Sequence, residues 1–398
     1  MQIAARYAAA IEILDDVLGG APAEKALTGW ARSHRFAGSK DRAAIRDHVF
    51  DALRMRRSCA ALGRAESGRG IVLGLCLRQG IEVSQIFSGV GHAPVALSEA
   101  EQAMLPTDPV TALMAKAPAI RYDCPDWIFE RFAAQFGDET SDILKALQNR
   151  APVFLRVNAL KATREEAIGA LAEDNISVCA VCDMSFALKV IENERKIRQS
   201  AAFRSGMVEL QDLSSQASVS RLTPPKDARV LDYCAGGGGK TLALAAHPAR
   251  PSAVFAHDVA PERLRDLPVR AARAGAQITI LPTTDIAARA PFDLVFVDAP
   301  CSGSGTWRRT PDAKWRLSQA DLENYINIQL EALQKASKFV SRDGVLCYAT
   351  CSFFQEENED QVSSFLRRNP DWALIRQTRF DLSSGGDGFF CASMQRNH

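Results

Sequence analysis

Two cysteines and an aspartate follow apolar runs of the sequence, where the ends of strands could bring them together. Asp298 and Cys301 follow the run at 294–297, and Cys351 follows the run at 344–348. Because the carboxyl ends of parallel strands meet at one edge of a sheet, both thiols could face one cleft. A thiolate can add to ring carbon 6 of a pyrimidine while an acid hydrogen-bonds ring nitrogen 3, and this makes ring carbon 5 nucleophilic.

A second candidate for chemistry is the glycine loop within residues 230–241, between an apolar run and a helix start. A phosphate-binding P-loop needs a glycine where Cys234 stands, and the dinucleotide fingerprint needs one where Thr241 or Leu242 stands. The loop of an S-adenosylmethionine site remains, and it predicts acids after the next two strands. Asp258 and Asp285 occupy those positions. The alternative is a tight turn followed by solvated acids.

The surrounding pattern predicts an all-α amino-terminal domain, a small α/β subdomain and a larger α/β domain with a mostly parallel, doubly wound sheet. The predicted divisions are residues 1–93, a proline-rich linker at 94–125, the subdomain at 126–206 and the large domain at 207–398. Within the large domain the predicted strands are 229–233, 253–256, 277–281, 294–297 and 344–348, with a possible antiparallel edge hairpin at 372–375 and 389–394.

Composition narrows the class of protein. Of 398 residues, 47% are hydrophobic and 24% are charged, which is typical of a soluble globular protein. The net charge of +1 means that any nucleic-acid footprint must be local. Without a long apolar run or a signal peptide, we expect a cytoplasmic protein with reduced thiols and no membrane. Cys179 and Cys182 form a single CxxC motif with no second pair of cysteines. Since zinc needs about four ligands, we expect no metal.

A basic and aromatic segment follows Cys301. Its basic residues are Arg308, Arg309, Lys314 and Arg316, and its aromatic residues are Trp307 and Trp315. Basic side chains contact phosphates and aromatic rings stack on bases, so the segment indicates a nucleic acid.

Several motifs together resemble the Sun/Nop family of RNA cytosine-5 methyltransferases, in particular its bacterial ribosomal RNA members. The matching stretches are 211–216, 232–241, 298–316, 348–352 and 387–390, with 152–161 resembling the family's RNA-binding lead-in. The resemblance implies a Rossmann-like class I methyltransferase domain with a seven-stranded sheet, S-adenosylmethionine as cofactor and an unstacked cytosine of RNA, most simply ribosomal RNA, as substrate. It also implies a helical, antitermination-factor-like (NusB-like) amino-terminal domain in a monomeric protein.

The resemblance assigns roles to individual residues. Cys351 would be the covalent nucleophile and Cys301 the second cysteine, which aids product release, while Asp298 and Lys240 would lie at the cytosine. The implied cofactor-binding residues are Cys234, Ala235, Gly236, Gly237, Gly238, Gly239, Lys240, Asp258, Arg263, Asp285 and Asp298. The implied RNA-binding residues are Arg156, Asn158, Arg308, Arg309, Lys314 and Arg316. The chain departs from the family at Gly236-Gly237, where Ala-Pro is common.

Three other functions remain open from the sequence. A DNA cytosine-5 methyltransferase would take its nucleophile from Pro300-Cys301, but the Thr350-Cys351-Ser352 motif argues against it. A non-catalytic RNA-binding or antitermination protein could carry an inactive methyltransferase fold, although the full set of expected catalytic residues argues against that. An oxidoreductase is disfavoured because the dinucleotide fingerprint fails.

Overall fold

The computed structural model of the chain describes residues 1–397, and they form two compact units. Unit 1 contains Met1–Arg150 together with Trp307–Leu317. Unit 2 contains Ala151–Thr306 and the chain from Ser318 onward. Over the described residues, none of the helices has the length and apolar character needed to cross a membrane.

Unit 1 is helical, as predicted for the amino-terminal region. Its first helices are α1 (Ile3–Leu18), α2 (Ala23–Ser33), α3 (Ser39–Arg54), α4 (Arg56–Gly63), α5 (Gly68–Gln79) and α6 (Val83–Ile86). Their apolar faces bury a common core that includes Ile13, Leu14, Ile45 and Leu53. The helical spacing of these residues along α1 and α3 explains why the region folds as packed helices.

The predicted linker at 94–125 contains short helices of its own. These are α7 (Glu99–Met104), α8 (Pro109–Met114) and α9 (Pro118–Arg121), and they are followed by α10 (Asp126–Phe136) and α11 (Thr140–Leu147). Pro109 and Pro118 each occupy the start of a helix, where a missing N–H costs nothing. The residues at 126–150 belong to unit 1, whereas the sequence places them with the small subdomain.

The smaller sheet of unit 2 is antiparallel and has the strand order β2-β3-β1-β4. Its elements are β1 (Phe154–Val157), α12 (Arg164–Glu173), β2 (Ser177–Ala180), β3 (Ala187–Glu192), α13 (Ala201–Arg204) and β4 (Val208–Leu210). A capping box begins α12, since the side chains of Thr163 and Glu166 each accept a hydrogen bond from the other's backbone N–H.

The larger sheet has seven strands in the order β10-β11-β9-β8-β5-β6-β7. Its strands and flanking helices are α14 (Leu213–Ser220), β5 (Arg229–Asp232), α15 (Gly239–Ala245), β6 (Ala253–Ala256), α16 (Leu267–Ala274), β7 (Ile278–Ile280), α17 (Ile286–Arg289), β8 (Phe292–Asp298), α19 (Gln319–Ala336), β9 (Val340–Thr350), α20 (Glu359–Arg368), β10 (Trp372–Phe380) and β11 (Phe389–Arg396). The remaining helix, α18 (Pro311–Arg316), lies in unit 1.

The predicted fold class is confirmed by the strand directions of the larger sheet. Neighbouring strands from β9 through β8, β5 and β6 to β7 are parallel. The predicted hairpin is also present, but β11 lies inside the sheet between β10 and β9, so only β10 forms that edge. Strand β8 is buried almost throughout, which accounts for the continuous apolar run in the sequence.

Candidate active site

The two predicted thiols meet at the carboxyl ends of adjacent strands. Asp298 ends β8 and is paired in register with Ala349 of β9, so the loops that follow these strands leave the sheet side by side. The sulfur atoms of Cys301 and Cys351 are 3.5 Å apart. The predicted convergence of the two thiols is therefore confirmed.

Charges around the sulfur atoms differ between the two cysteines. The hydrogen bond to Cys351 and then burial raise the pKa of Cys301 well above its usual range. Lys240 Nζ donates to Asp298 Oδ2 over 2.6 Å. Burial works to lower the pKa of Lys240, but the Asp298 carboxylate and the negative charge of a Cys351 thiolate outweigh it, so that this pKa is raised. A protonated thiol and a charged ammonium group therefore lie within electrostatic range of Cys351.

A buried acid that the sequence did not single out lies behind the two cysteines. Glu357 is fully buried and accepts hydrogen bonds from Ser302, which follows Cys301, and from Ser352, which follows Cys351. Its neighbours in sequence include three further acids, Glu356, Glu359 and Asp360. The sequence gives no means of choosing among these four, although their proximity to Cys351 is a usable signal.

The glycine loop has the backbone shape of a ligand cradle. Gly236 and Gly238 both have left-handed backbones, with φ of 50° and 80°. A Cβ at Gly238 would lie 2.3 Å from Leu267 Cδ1, and one at Gly236 would lie 3.2 Å from the Arg263 guanidinium. The loop then enters α15 at Gly239. Side chains at these positions would press against Leu267 and Arg263, so the loop needs glycine to keep this shape.

Two acids hold the glycine loop in place. Asp258, two residues after the end of β6, accepts from the backbone N–H groups of Gly236 at 2.9 Å and Ala260 at 3.0 Å. Asp232 accepts from Thr241 Oγ1 at 2.6 Å through one oxygen, while its other oxygen is buried without a hydrogen-bond partner. Burial raises the pKa of Asp232 to about 7. An orphaned buried oxygen beneath the loop fits a site shaped for a polar ligand.

Among the remaining residues predicted to bind the cofactor, those at the start of the glycine loop are the more buried, and Arg263 and Asp285 are more exposed. Ala235 is buried, and burial raises the pKa of the Cys234 thiol. Arg263 lies 3.3 Å from Asp258 with half of its side chain exposed. Asp285 is exposed after β7, the strand next to β6, where it accepts from Thr284. Asp258 and Asp285 therefore lie at the same edge of the sheet.

The two residues of the small subdomain that are predicted to bind RNA, Arg156 and Asn158, make hydrogen bonds within unit 2. Arg156 Nε donates to Gln211 Oε1 at 2.6 Å, and Asn158 Nδ2 donates to the carbonyl oxygens of Gly206 and Ala274. Burial lowers the pKa of Arg156 to about 10. In this structure both side chains brace backbone and neighbouring side chains, and both are more than nine-tenths buried.

The basic segment after Cys301 is divided between buried and exposed residues. Lys314 is buried and donates to the carbonyl oxygen of Asp123, and the buried Arg308 accepts at its carbonyl from Arg54 Nε at 2.8 Å. Arg309 is half-buried, and Arg316 is exposed beside Asp312. The structure therefore leaves Arg309 and Arg316 as the accessible members of the predicted patch.

Metal-type residues do not converge in the part of the chain that the structure describes. Cys179 and Cys182 are exposed at and after the end of β2, and over residues 1–397 there is no group of three histidine, cysteine or acidic side chains placed to hold a metal.

Three solved structures share the fold of this chain. PH0851 matches with a TM-score of 0.76 and 24% identity over 100% of this chain and 99% of its own. A methyltransferase homolog protein from Pyrococcus horikoshii matches with a TM-score of 0.62 and 23% identity, over 70% of this chain and 98% of its own. NSun6 from Pyrococcus horikoshii, solved with SFG, gives a TM-score of 0.61 and 20% identity over 68% and 98%. The comparison therefore agrees with the Rossmann-like fold seen in the larger sheet.

Sequence relatives identify the family within this class. The family model for 16S rRNA methyltransferase RsmB/F matches residues 219–394, and the RsmF/B-like ferredoxin-like domain matches residues 124–196. Ribosomal RNA small subunit methyltransferase B of Sodalis glossinidius is 34% identical over 299 residues, which are 71% of this chain and 68% of that protein. Its counterpart from Photorhabdus laumondii is 31% identical over 68% of this chain and 66% of its own length.

The chain belongs to the 16S rRNA methyltransferase RsmB/F family. The resemblance to the ribosomal RNA members of the Sun/Nop family is confirmed. The chain spans about two thirds of the length of the curated relatives that it matches.

Proposed function

We propose that this protein methylates ring carbon 5 of a cytosine in ribosomal RNA, with S-adenosylmethionine as methyl donor and Cys351 as covalent nucleophile. The observation that carries the proposal is the 3.5 Å separation of the Cys301 and Cys351 sulfur atoms, beside the 2.6 Å contact of Lys240 with Asp298. The names of the relatives support ribosomal RNA as substrate.

The cofactor is proposed from the family and from the glycine loop. SFG, present in the related NSun6 structure, is an analogue of S-adenosylmethionine. In this chain the loop at 234–239 and the acids Asp258 and Asp285 would hold the cofactor, which when bound supplies an electrophilic methyl group. The left-handed glycines and the unpartnered buried oxygen of Asp232 fit such a ligand.

Each catalytic side chain has a role that its surroundings support. The Cys351 sulfur bonds to ring carbon 6, which makes carbon 5 nucleophilic. Lys240 and Asp298 hold a proton between Nζ and Oδ2 that can be offered to ring nitrogen 3. After carbon 5 has lost its proton, the bond between sulfur and carbon 6 breaks. Cys301, whose pKa is raised, is placed beside Cys351 to aid that release.

Access to ring carbon 6 requires that the cytosine be unstacked, so the substrate is an open or locally opened region of RNA. Arg309 and Arg316 are the basic side chains that we propose for phosphate contacts. We infer that the enzyme acts as a cytoplasmic monomer.

Trapping with 5-fluorocytosine tests the proposal, because fluorine at carbon 5 prevents release of the covalent adduct. With ribosomal RNA that contains this base, wild-type protein should form an adduct through Cys351, and Cys351→Ala should form none. With ordinary RNA, Cys301→Ala should accumulate protein bound to RNA. Cys182→Ala, which removes an exposed thiol, is the matched control and should behave as wild type.

The same experiment distinguishes the rival functions. An adduct through Cys301 with DNA would support a DNA methyltransferase, and absence of any binding of S-adenosylmethionine would support a non-catalytic RNA-binding protein. Normal turnover by Cys351→Ala would contradict the proposed nucleophile.

A further inference from the structure

One buried carboxylate connects the two loops that carry the cysteines. Glu357 Oε1 accepts from the backbone N–H of Ser302 at 2.8 Å and from Gln329 Nε2 at 3.0 Å. Glu357 Oε2 accepts from the hydroxyl of Ser302 at 2.5 Å and from the hydroxyl of Ser352. Ser302 and Ser352 belong to loops that follow different strands, β8 and β9. The carboxylate is therefore a cross-link between two loops that are about fifty residues apart in sequence.

The connection reaches the residues next to the sulfur atoms. Ser302 directly follows Cys301, and Ser352 directly follows Cys351. The hydroxyl oxygens of these two serines are 3.2 Å apart. A shift of the Glu357 carboxylate would therefore be felt by both sulfur atoms and not by one alone.

Glu357 has its acceptor capacity filled by the protein. A carboxylate offers about four acceptor positions, and four donor groups of the chain occupy them. The side chain is fully buried. Burial raises the pKa of Glu357, and the hydrogen bonds from Ser302 and Ser352 oppose that rise. A group so occupied is suited to holding protein atoms and not to contacting a substrate.

Asn358, the residue after Glu357, bonds to the Cys351 loop and the strand before it, whereas Glu357 bonds to both cysteine loops. Asn358 Nδ2 donates to the carbonyl oxygen of Ser352 at 3.0 Å, and Asn358 Oδ1 accepts from Thr350 Oγ1 at 2.5 Å. Both contacts lie on the Cys351 side. The Cys301 side is held by Glu357 and by Gln329, which also donates to the carbonyl oxygen of Pro300 at 2.9 Å. The Gly305 N–H further along this loop donates to the carbonyl oxygen of Cys351 at 2.9 Å.

We propose that Glu357 is a positioning residue that sets the separation of the Cys301 and Cys351 sulfur atoms, so that both reach one cytosine. This inference rests on the proposed function, since it gives the two sulfur atoms successive tasks at the same base. Misplacement of a reacting group by about 1 Å can cost about a hundredfold in rate. A buried link of this kind is therefore worth more to catalysis than to cofactor binding.

The first test is Glu357→Gln, which keeps the volume of the side chain but replaces one acceptor oxygen with a donor that faces donors. We expect kcat on ribosomal RNA to fall by about tenfold to a hundredfold, while the KM for S-adenosylmethionine stays within about twofold. The matched control is Asp360→Asn, which alters an exposed acid nearby that accepts from Gln355 Nε2 at 3.1 Å. That variant should retain the wild-type kcat.

A second measurement follows the sulfur atoms without relying on catalysis. Diamide takes two electrons and two protons from a pair of thiols and leaves a disulfide, whose amount can be followed by mass spectrometry of the linked peptides. Because disulfide formation requires close and oriented thiols, Glu357→Gln should slow linkage of Cys301 to Cys351 by about tenfold or more. Ser302→Ala removes the hydroxyl bond to Glu357 and the contact with the Ser352 hydroxyl but keeps the backbone N–H bond to Glu357. It should change kcat and linkage in the same direction by less.

The two measurements separate the possible outcomes. Wild-type kcat and wild-type linkage in Glu357→Gln would overturn the positioning role. The positioning role would also be overturned if kcat fell together with cofactor affinity and melting temperature while the rate of disulfide linkage stayed unchanged. That result would indicate a general structural effect. If the wild-type protein methylates no cytosine, the proposed function fails, but the linkage rates still decide the role of Glu357. Should Glu357→Gln not fold, Ser302→Ala decides by the same two criteria.

Discussion

Two lysines, Lys240 in unit 2, which is partly buried, and Lys314 in unit 1, which is buried, show how the same residue type serves different purposes. Lys240 in unit 2 meets the Asp298 carboxylate at 2.6 Å and has 14% of its side chain exposed. Lys314 in unit 1 is 2% exposed and donates to the backbone carbonyl of Asp123. Asp298 reverses the effect of burial and raises the pKa of Lys240, whereas burial prevails and lowers the pKa of Lys314. A buried lysine points to chemistry when it faces a second charge beside a reactive group.

The basic segment around Lys314 illustrates the opposite case. Trp307 is buried and stacks on Phe132 with ring centroids 6.2 Å apart, and Trp315 Nε1 donates to the carbonyl oxygen of Leu53 at 2.7 Å. The residues that suggest a nucleic-acid surface in the sequence are in part the anchors of this segment within unit 1. Aromatic and basic side chains anchor a segment well because they combine apolar area with hydrogen-bond donors.

The largest expected effect comes from removing Lys240, the lysine for which we propose a catalytic role. Lys240→Met should lower kcat by about a hundredfold to a thousandfold, because the proton shared with Asp298 and the positive charge near Cys351 are both lost. The free energy of unfolding should change by about 1 kcal/mol or less, since the ion pair is partly exposed. Steady-state kinetics and urea titration measure the two quantities.

The control for that variant is Lys335→Met, which breaks an exposed ion pair with Glu331. It should leave kcat unchanged. A Lys240→Met protein with wild-type kcat would remove the chemical distinction between Lys240 and Lys314.

An intermediate effect, on stability, is expected in unit 1. Lys314→Met keeps an apolar stem of similar length but leaves the carbonyl of Asp123 without this donor and the buried Asp123 carboxylate with less compensation. We expect the free energy of unfolding to fall by about 2–4 kcal/mol, as measured by urea titration. Lys145→Met, which breaks an exposed pair with Asp142, should cost about 0.5 kcal/mol or less. Equal stabilities of the two variants would show that Lys314 is not an anchor.

The smallest effect on the fold is expected at Arg316, which remains accessible at the end of the basic segment. Half of its side chain is exposed, so Arg316→Ala should change the free energy of unfolding by only about 0.5 kcal/mol. If Arg316 contacts a phosphate, the slope of log affinity for RNA against log salt concentration should become shallower by about 0.7. Arg367→Ala in α20 is the matched surface control, and identical slopes for both variants would contradict the proposed contact.

The architecture could be predicted because its signals are local. The run at 294–297 predicts a strand buried on both faces, and β8 extends this run to Phe292–Asp298. The proximity of Cys301 and Cys351 was also predictable, since two consecutive parallel strands of a doubly wound sheet place their following loops at one edge. Local patterns do not reveal whether the second strand of a hairpin is inserted into a sheet or added at its edge. For this reason the sequence did not predict that β11 lies between β10 and β9.

The amino-acid sequence by itself determined the class of fold, the glycine loop and the presence of two thiols at neighbouring strand ends. These features depend on periodicity and on residues close together along the chain. Only the tertiary structure decided that Glu357 joins both cysteine loops, and that Lys314 is an anchor whereas Lys240 is a partner of Asp298. Those outcomes depend on which distant groups surround a side chain once it is buried, because burial and paired charges, and not residue type alone, fix what an ionisable group can do.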